Sequence, residues 1–570
     1  MAKAELKQTL GRKKMIPLVM ALGKRIIDSL GFVEKINSMV VWDKTQWKTS
    51  PGGLLKALVL STFADIRTPL TRLEDRLAGV DLEYLIGEGW EARNVNSFSV
   101  GRALQRLGEA DCDGIYETLA LSAVQMNDIP MRRLHSDTTT VSFYGEYDMD
   151  RLDLTEEEKA ELLHIEKGYN KDGKPGCKQA VVGQIVNEAG IPVVSRAIDG
   201  SACDAGWNEE AIRYMASIQR EGFSSGVYVA DCKLVNGKLI PRMMEGETPL
   251  KFVSRCPASF EDKLESRTIE KAYAEGGWDD FGKLAGGEKS ASYRGVSTTE
   301  TVCGYPMRLV TVESSALMEK AGEAVEKERQ KLLPLTRSLE KKTFACYADA
   351  TAEILALADS RQARLFTIKA RVDRTVREKW PRGRRKADTV PEISETYGIT
   401  IEGVDRDEAA CEEFIRKESC FVLISSVLEG MDGRELLATY KGQQIVENSF
   451  RMLKHPQLAT AIYLNSTFRV KALTMILSFS LLIRAIIQHR LREGLAKYKE
   501  ENPGGKLRVG WNGRELTNPT YRLLYEHSYD CYFEKEGLGR YSFEWPYVES
   551  KERVGTLLRL MGYDVLDLID

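Results

Sequence analysis

Three acidic residues stand where acidic residues are uncommon. Asp137 lies in the extended, β-branched stretch His135-Ser136-Asp137-Thr138-Thr139-Thr140, and Asp231 ends the run Val227-Tyr228-Val229-Ala230. Asp is depleted in strands. Glu447 falls inside Tyr440 to Lys454, a segment rich in cations. Two strand aspartates and a helix glutamate suggest an all-oxygen cage for two Mg2+ (or Mn2+) ions. Two hard cations about 3.5–4 Å apart activate an attacking oxygen and stabilise a leaving one in an in-line displacement at phosphorus. Mg2+ keeps several waters, so two or three carboxylates suffice to hold it. The chemistry implied is metal-dependent cutting and joining of phosphodiesters.

The glutamate segment carries further detail. Tyr440, Gln443, Glu447, Arg451 and Lys454 are spaced 3, 4, 4 and 3 apart, which places them on one face of a continuous helix. A carboxylate flanked by a phenol, an amide and two cations suits a metal with DNA phosphates beside it. A surface helix held by a Glu447–Arg451 pair is the alternative, and it leaves Tyr440, Gln443 and Gly442 unexplained. Glycine in a helix interior costs about 1 kcal/mol relative to alanine, so Gly442 points to close backbone approach.

The elements that must position these residues follow from periodicity. Residues from about 12 to 128 read as wholly helical: Met15 to Leu30 has apolar residues at helical spacing, and Ser50-Pro51-Gly52-Gly53 is a helix start. Strands are predicted at Leu134 to Phe143, Gln179 to Val186 and Ile191 to Ile198, then a helix from Asp204, then strands at Gly226 to Asp231 and Leu250 to Ser254. Three strands, a helix and two strands is the order of a ribonuclease H-like sheet, whose first and fourth strands are neighbours. Residues 256–430 hold strand-like pieces and a charged helix, Ala316 to Leu333, stopped at Pro334. That stretch exceeds a loop and reads as an inserted subdomain. A helix from Arg434 to Lys454 and an apolar helix from Val470 to Leu495 follow. The expected organisation is a helical N-terminal region (1–130), a first core part (131–255), an α/β insertion (256–430), a second core part (431–500) and a C-terminal tail (501–570).

Bulk composition limits the alternatives. A 570-residue chain, 43% hydrophobic and 29% charged, describes a globular protein of several domains. Ten cysteines without a C-x-x-C pair and five histidines argue for reduced thiols and against a structural zinc. Charges in Met1 to Lys7 leave no apolar core for a signal peptide. Ala472 to Ile483 stops at Arg484, short of a bilayer span. Net charge is −3, yet eleven Lys or Arg crowd residues 361–386. Such a strip either binds phosphate or faces solvent.

Tyr440, Glu447 and Lys454 match the Tyr-x2-Arg-x3-Glu-x6-Lys pattern of DDE transposases in the insertion sequence 4 superfamily. The surrounding sequence resembles the insertion sequence 1634 branch. The passages concerned are His135 to Thr139, Gly168 to Pro175 with Lys178-Gln179, Gly200 to Asp204, and Glu435-Leu436-Leu437 running into Tyr440 to Gln443. The resemblance spans about residues 15 to 525. It implies an α/β fold: a ribonuclease H-like catalytic core with a helical N-terminal domain that binds DNA ends or dimerises, and a β-rich insertion. Asp137, Asp231 and Glu447 would be catalytic and metal-binding, with Tyr440 and Lys454 on phosphates. Gln443 stands where the superfamily has Arg, so Lys441 or Arg451 would supply the missing charge. Trp380 would stack a flipped base unless it is a core residue, and Arg382, Arg384 and Arg385 would contact DNA. The implied partners are double-stranded DNA, at transposon ends and target, and a second copy of the chain. The implied location is the cytoplasm, at the prokaryotic nucleoid. A catalytically silent DNA-binding derivative and a nuclease without strand transfer are the alternatives.

Overall fold

A computed structural model describes residues 14–63, 70–143, 145–147, 155–160, 162–220, 226–246, 248–284, 290–380, 382–383, 390–454, 466–536 and 539–569. The protein is mixed α/β with a large mixed sheet. It divides into two compact units, one formed by Met1–Leu234, Arg242–Phe252 and Thr439–Asp570, the other by Val235–Pro241 and Val253–Ala438.

The first unit opens with a strand, not the helix expected at Met15. In β1 (Met15–Pro17) the backbone pairs antiparallel with Tyr532–Lys535. That pairing holds Pro17 extended as the N-cap, and the helix runs from Leu18 to Ser29. Ser50 caps the Pro51–Ser61 helix by accepting from the Gly53 N–H. The Ser97–Gly108 and Cys112–Met126 helices follow. All three pack against the long Thr467–Glu501 helix.

That long helix is apolar enough, by length and composition, to cross a membrane, because it continues past Arg484; yet 94% of its most apolar window is buried within the protein. Arg484 is accommodated by donating to the Thr62 carbonyl and lying over the Phe63 and Tyr521 rings.

The strands of the first unit run in the order β4 (Pro192–Ile198), β3 (Lys178–Asn187), β2 (Arg133–Phe143), β5 (Val227–Val229). The β4–β3–β2 pairings are antiparallel and β2–β5 is parallel. Both faces of β3 are buried. The Asp204–Arg220 helix covers one face through Trp207, whose indole lies where a Cβ on Gly183 would be and donates to Ser136 Oγ at 2.8 Å.

In the second unit, β6 (Phe252–Arg255), β13 (Cys420–Ser425), β9 (Tyr305–Ser314), β8 (Ser292–Val302) and β7 (Asp279–Lys283) are neighbours in that order, all antiparallel. A separate small sheet runs β10 (Thr343–Phe344), β12 (Glu392–Arg406), β11 (Phe366–Lys379). The charged helix runs from Ser315 to Glu340 with Pro334 inside it, past the stop expected there. The turn beyond Pro334 buries Leu339 against Ala350 and Ile399, and that burial outweighs the missing hydrogen bond.

Candidate metal-binding site

Asp137 and Asp231 are brought together by strand register. The parallel pairs Arg133↔Val227, Leu134↔Tyr228 and His135↔Val229 end there, and Asp137 and Asp231 each follow the last pair by two residues, close enough for the Asp231 charge to act on Asp137. Asp137 is still within β2, whereas Asp231 opens the tight turn Cys232–Leu234. The Thr138 N–H donates to Asp137 Oδ1 at 2.7 Å, and the Lys233 N–H donates to Asp231 Oδ1 at 3.0 Å. Burial pushes the Asp137 carboxyl up to about 6, with the neighbouring Asp231 and Asp204 charges adding to the rise. Burial likewise raises Asp231, again with Asp204 adding. A pair of half-buried, like-charged carboxylates at one strand end is costly unless a cation neutralises it. Their oxygen-only chemistry suits Mg2+ or Mn2+.

A third acid and a cation, neither singled out by the sequence, complete the surroundings. Asp204 Oδ1 accepts from Thr138 Oγ1 at 2.5 Å and from Lys171 Nζ at 3.1 Å. Lys171 also donates to the Thr138 carbonyl and hydroxyl, at 3.0 and 2.8 Å. Burial works against the Asp204 charge, but the Thr138 hydroxyl and Lys171 together hold its carboxyl below the usual range. Lys171 lowers both Asp137 and Asp231 as well. The available signal was the polar, glycine-bearing run Gly168 to Pro175 ahead of a strand.

The glutamate segment is not one continuous helix. It breaks at Gly442–Gln443 into Gly433–Lys441 and Gln444–Leu453. Bonds of the tighter i→i+3 kind, Gly442 N to the Thr439 carbonyl and Gln443 N to the Tyr440 carbonyl, carry the chain through the junction. Gly442 rides against β2, where a Cβ would come 2.8 Å from His135 Cε1. His135 is buried, with its Nδ1 unpartnered, and burial pushes its imidazole down to about 4. The expected single face of five residues is therefore bent between Tyr440 and Glu447.

What holds the Gln444–Leu453 helix is clear. Val446 and Phe450 pack on Val186 of β3. A buried polar chain runs from Ser449 Oγ to Gln184 Oε1 (2.7 Å), Gln184 Nε2 to Ser195 Oγ (3.1 Å) and Ser195 to Ser478 (2.8 Å). This leaves Glu447, Asn448 and Arg451 exposed. Among the described residues, no three His, Cys, Asp or Glu side chains gather closely enough to hold a metal ion, so Glu447 does not join the aspartate pair in this conformation. Tyr440 is half-buried, Lys441 is exposed, and Gln443 reaches the Ser136 carbonyl at 3.5 Å. Lys454 pairs with Asp172 at 2.5 Å.

The basic strip is partly self-neutralised. Antiparallel β11 and β12 set Lys369 against Asp405, Arg371 against Glu402, Arg374 against Glu395 and Lys379 against Glu392. Trp380 is half-buried at the end of β11 and Arg382 is exposed, while Arg384 and Arg385 lie outside the described residues. A cavity of about 1020 Å3 in the first unit, lined by Asp113, Arg196, Asp199 and Lys471 among others, includes neither Asp137 nor Asp231.

Residues 16–121 match the profile of a domain of unknown function, DUF4277. No curated protein matches the chain.

Proposed function

We propose that the protein is a DDE transposase of the insertion sequence 1634 family, with a ribonuclease H-like core formed around β2, β3, β4 and β5. The observation that favours this reading is that Asp137 and Asp231 each follow the last parallel pair of β2 and β5 by two residues, with the Asp231 charge acting on Asp137. Two neighbouring carboxylates suit a site for hard divalent cations.

In this reading Asp137 and Asp231 would hold Mg2+ or Mn2+, two ions in all, with Glu447 as the third carboxylate of the set. Bound metal supplies Lewis acidity to the phosphoryl oxygens and lowers the pKa of the attacking water. The chain's own residues do the rest. Tyr440, Lys441, Arg451 and Lys454 grip DNA phosphates, and Gln443 ties the helix junction to β2. Arg382, Arg384, Arg385 and Trp380 hold the DNA end, and the N-terminal helices bind that end or a second subunit. Water first displaces a 3′-oxygen at the terminal inverted repeat. The freed 3′-hydroxyl then attacks another phosphodiester, its proton passing to solvent as a second 3′-oxygen leaves, so the number of ester bonds is conserved. The partners are double-stranded DNA and a second copy of the chain, at the prokaryotic nucleoid in the cytoplasm.

One observation favours a catalytically silent DNA-binding derivative: Glu447 stands apart from the aspartates. Incubating the protein with Mg2+ and its element's end sequences separates the readings. Cleavage with a joined product supports the transposase. Cleavage alone means a nuclease, and binding without cleavage means the silent derivative. Asp231→Asn and Glu447→Gln are expected to abolish cleavage while end binding persists, and full activity in either removes the metal assignment.

A further inference from the structure

Lys171 and Asp172 are consecutive residues of one loop, and each engages a different half of the site. Lys171 Nζ lies on Thr138 and Asp204, in the field of Asp137 and Asp231. Asp172 Oδ1 accepts from Lys454 Nζ at 2.5 Å, just past the Glu447 helix. The four side chains of these two ion pairs are each between 26% and 31% exposed, so these are not freely solvated surface pairs.

The loop does not reach this position by chance contact of long side chains. Asn170 Oδ1 accepts from the backbone N–H of Asp172 and Lys174, at 2.9 and 3.1 Å, closing a tight polar turn. Asn170 Nδ2 donates to Ser142 Oγ, and the Lys171 N–H donates to Thr140 Oγ1, both at 3.0 Å. Two anchors on β2, Ser142 and Thr140, thus aim an ammonium at the acids and a carboxylate at the lysine.

We propose that Lys171 and Asp172 are stand-ins for the site's two ligands, the ammonium taking the place of the divalent cation and the carboxylate that of a DNA phosphate. The inference rests on the transposase reading and deepens it. Loading metal and DNA then means displacing one loop. Lys171 withdraws as the cation's charge replaces its own, and Asp172 releases Lys454 to the incoming phosphate. Both residues are positioning residues, acting through the acids and through Lys454.

Two variants test this by gains that a merely structural role would not produce. Lys171→Gln is expected to tighten Mn2+ binding, measured by calorimetry without DNA, and Lys171→Arg to leave it near wild type. Asp172→Asn is expected to tighten binding of end DNA without metal by about 1.5- to 5-fold, the scale of one half-exposed ion pair. That gain should vanish in a Lys454→Gln background, which separates release of Lys454 from a general loss of negative charge. Unchanged or weaker binding in both single variants, with wild type binding Mn2+ and DNA normally, overturns this inference and leaves the transposase reading standing. Wild type that takes up neither Mn2+ through Asp137 nor end DNA removes both.

Discussion

Replacing Asp137 with asparagine should make the metal-free protein more stable, not less. The Asp137 carboxyl is raised from 3.8 to about 6, chiefly by burial. A carboxyl raised on folding favours the folded state most below its unfolded value. That advantage drains away as pH climbs from about 4 through about 6, and above that the folded chain bears the full cost of an ionised, poorly solvated group. The interval corresponds to about 3 kcal/mol as an upper bound, less what solvent at the half-buried site recovers. Asparagine keeps the shape and removes the charge. In EDTA at pH 8, Asp137→Asn should therefore unfold at higher temperature or denaturant than wild type. At pH 4, where the wild-type carboxyl is protonated in the fold, the difference should nearly close. Adding Mn2+ at pH 8 should then stabilise wild type and not the variant, because ligand binding to the folded state adds stability in proportion to occupancy. Equal stability at pH 8 in EDTA, or equal protection by Mn2+, would refute the argument that burial holds the Asp137 carboxylate at a cost that a divalent cation relieves.

Three other perturbations probe separate features. Replacing Arg382, Arg384 and Arg385 together with glutamine should weaken DNA binding and reduce the slope of log K against log salt by about 2 to 3; an unaltered slope would remove these arginines as phosphate contacts. Gly442→Ala puts a Cβ 2.8 Å from His135 Cε1 and should cost about 1–3 kcal/mol. Most of that cost should disappear in a His135→Ala background, and strict additivity in denaturant titrations would place the strain elsewhere. Pro334→Ala restores a helix N–H within Ser315–Glu340 and should stabilise the second unit by about 1–3 kcal/mol in chemical denaturation; a loss of stability would show that the proline shapes the helix.

What was legible in the sequence was local pattern. β-Branched runs bounded by turn residues located β2, β3 and β4 to within a residue or two, and the element order pointed to β2 and β5 as neighbours. What was not legible depended on partners distant in the chain. Nothing near Met15 announces that Tyr532–Lys535 will take its backbone into a strand. The 3.6-residue spacing from Tyr440 to Lys454 is helical throughout, and only His135, more than 300 residues earlier, explains why Gly442 interrupts it. Lys171 and Asp204 escaped notice because a lysine in a polar loop and an aspartate opening a helix are ordinary until a threonine between them is seen to bind both. The eleven cations of residues 361–386 looked like one basic surface because the acids that answer them sit on the next strand.

The Thr467–Glu501 helix has a consequence for how the chain is made. It lies against the Pro51–Ser61, Ser97–Gly108 and Cys112–Met126 helices, and Tyr532–Lys535 closes onto Met15–Pro17. During synthesis the Pro51–Ser61, Ser97–Gly108 and Cys112–Met126 helices must wait, greasy sides open, until Thr467–Glu501 has left the ribosome. A protein truncated after Leu453 would lose the lid over these earlier helices, and chaperone dependence or aggregation of such fragments is the cost of packing early helices on a late one.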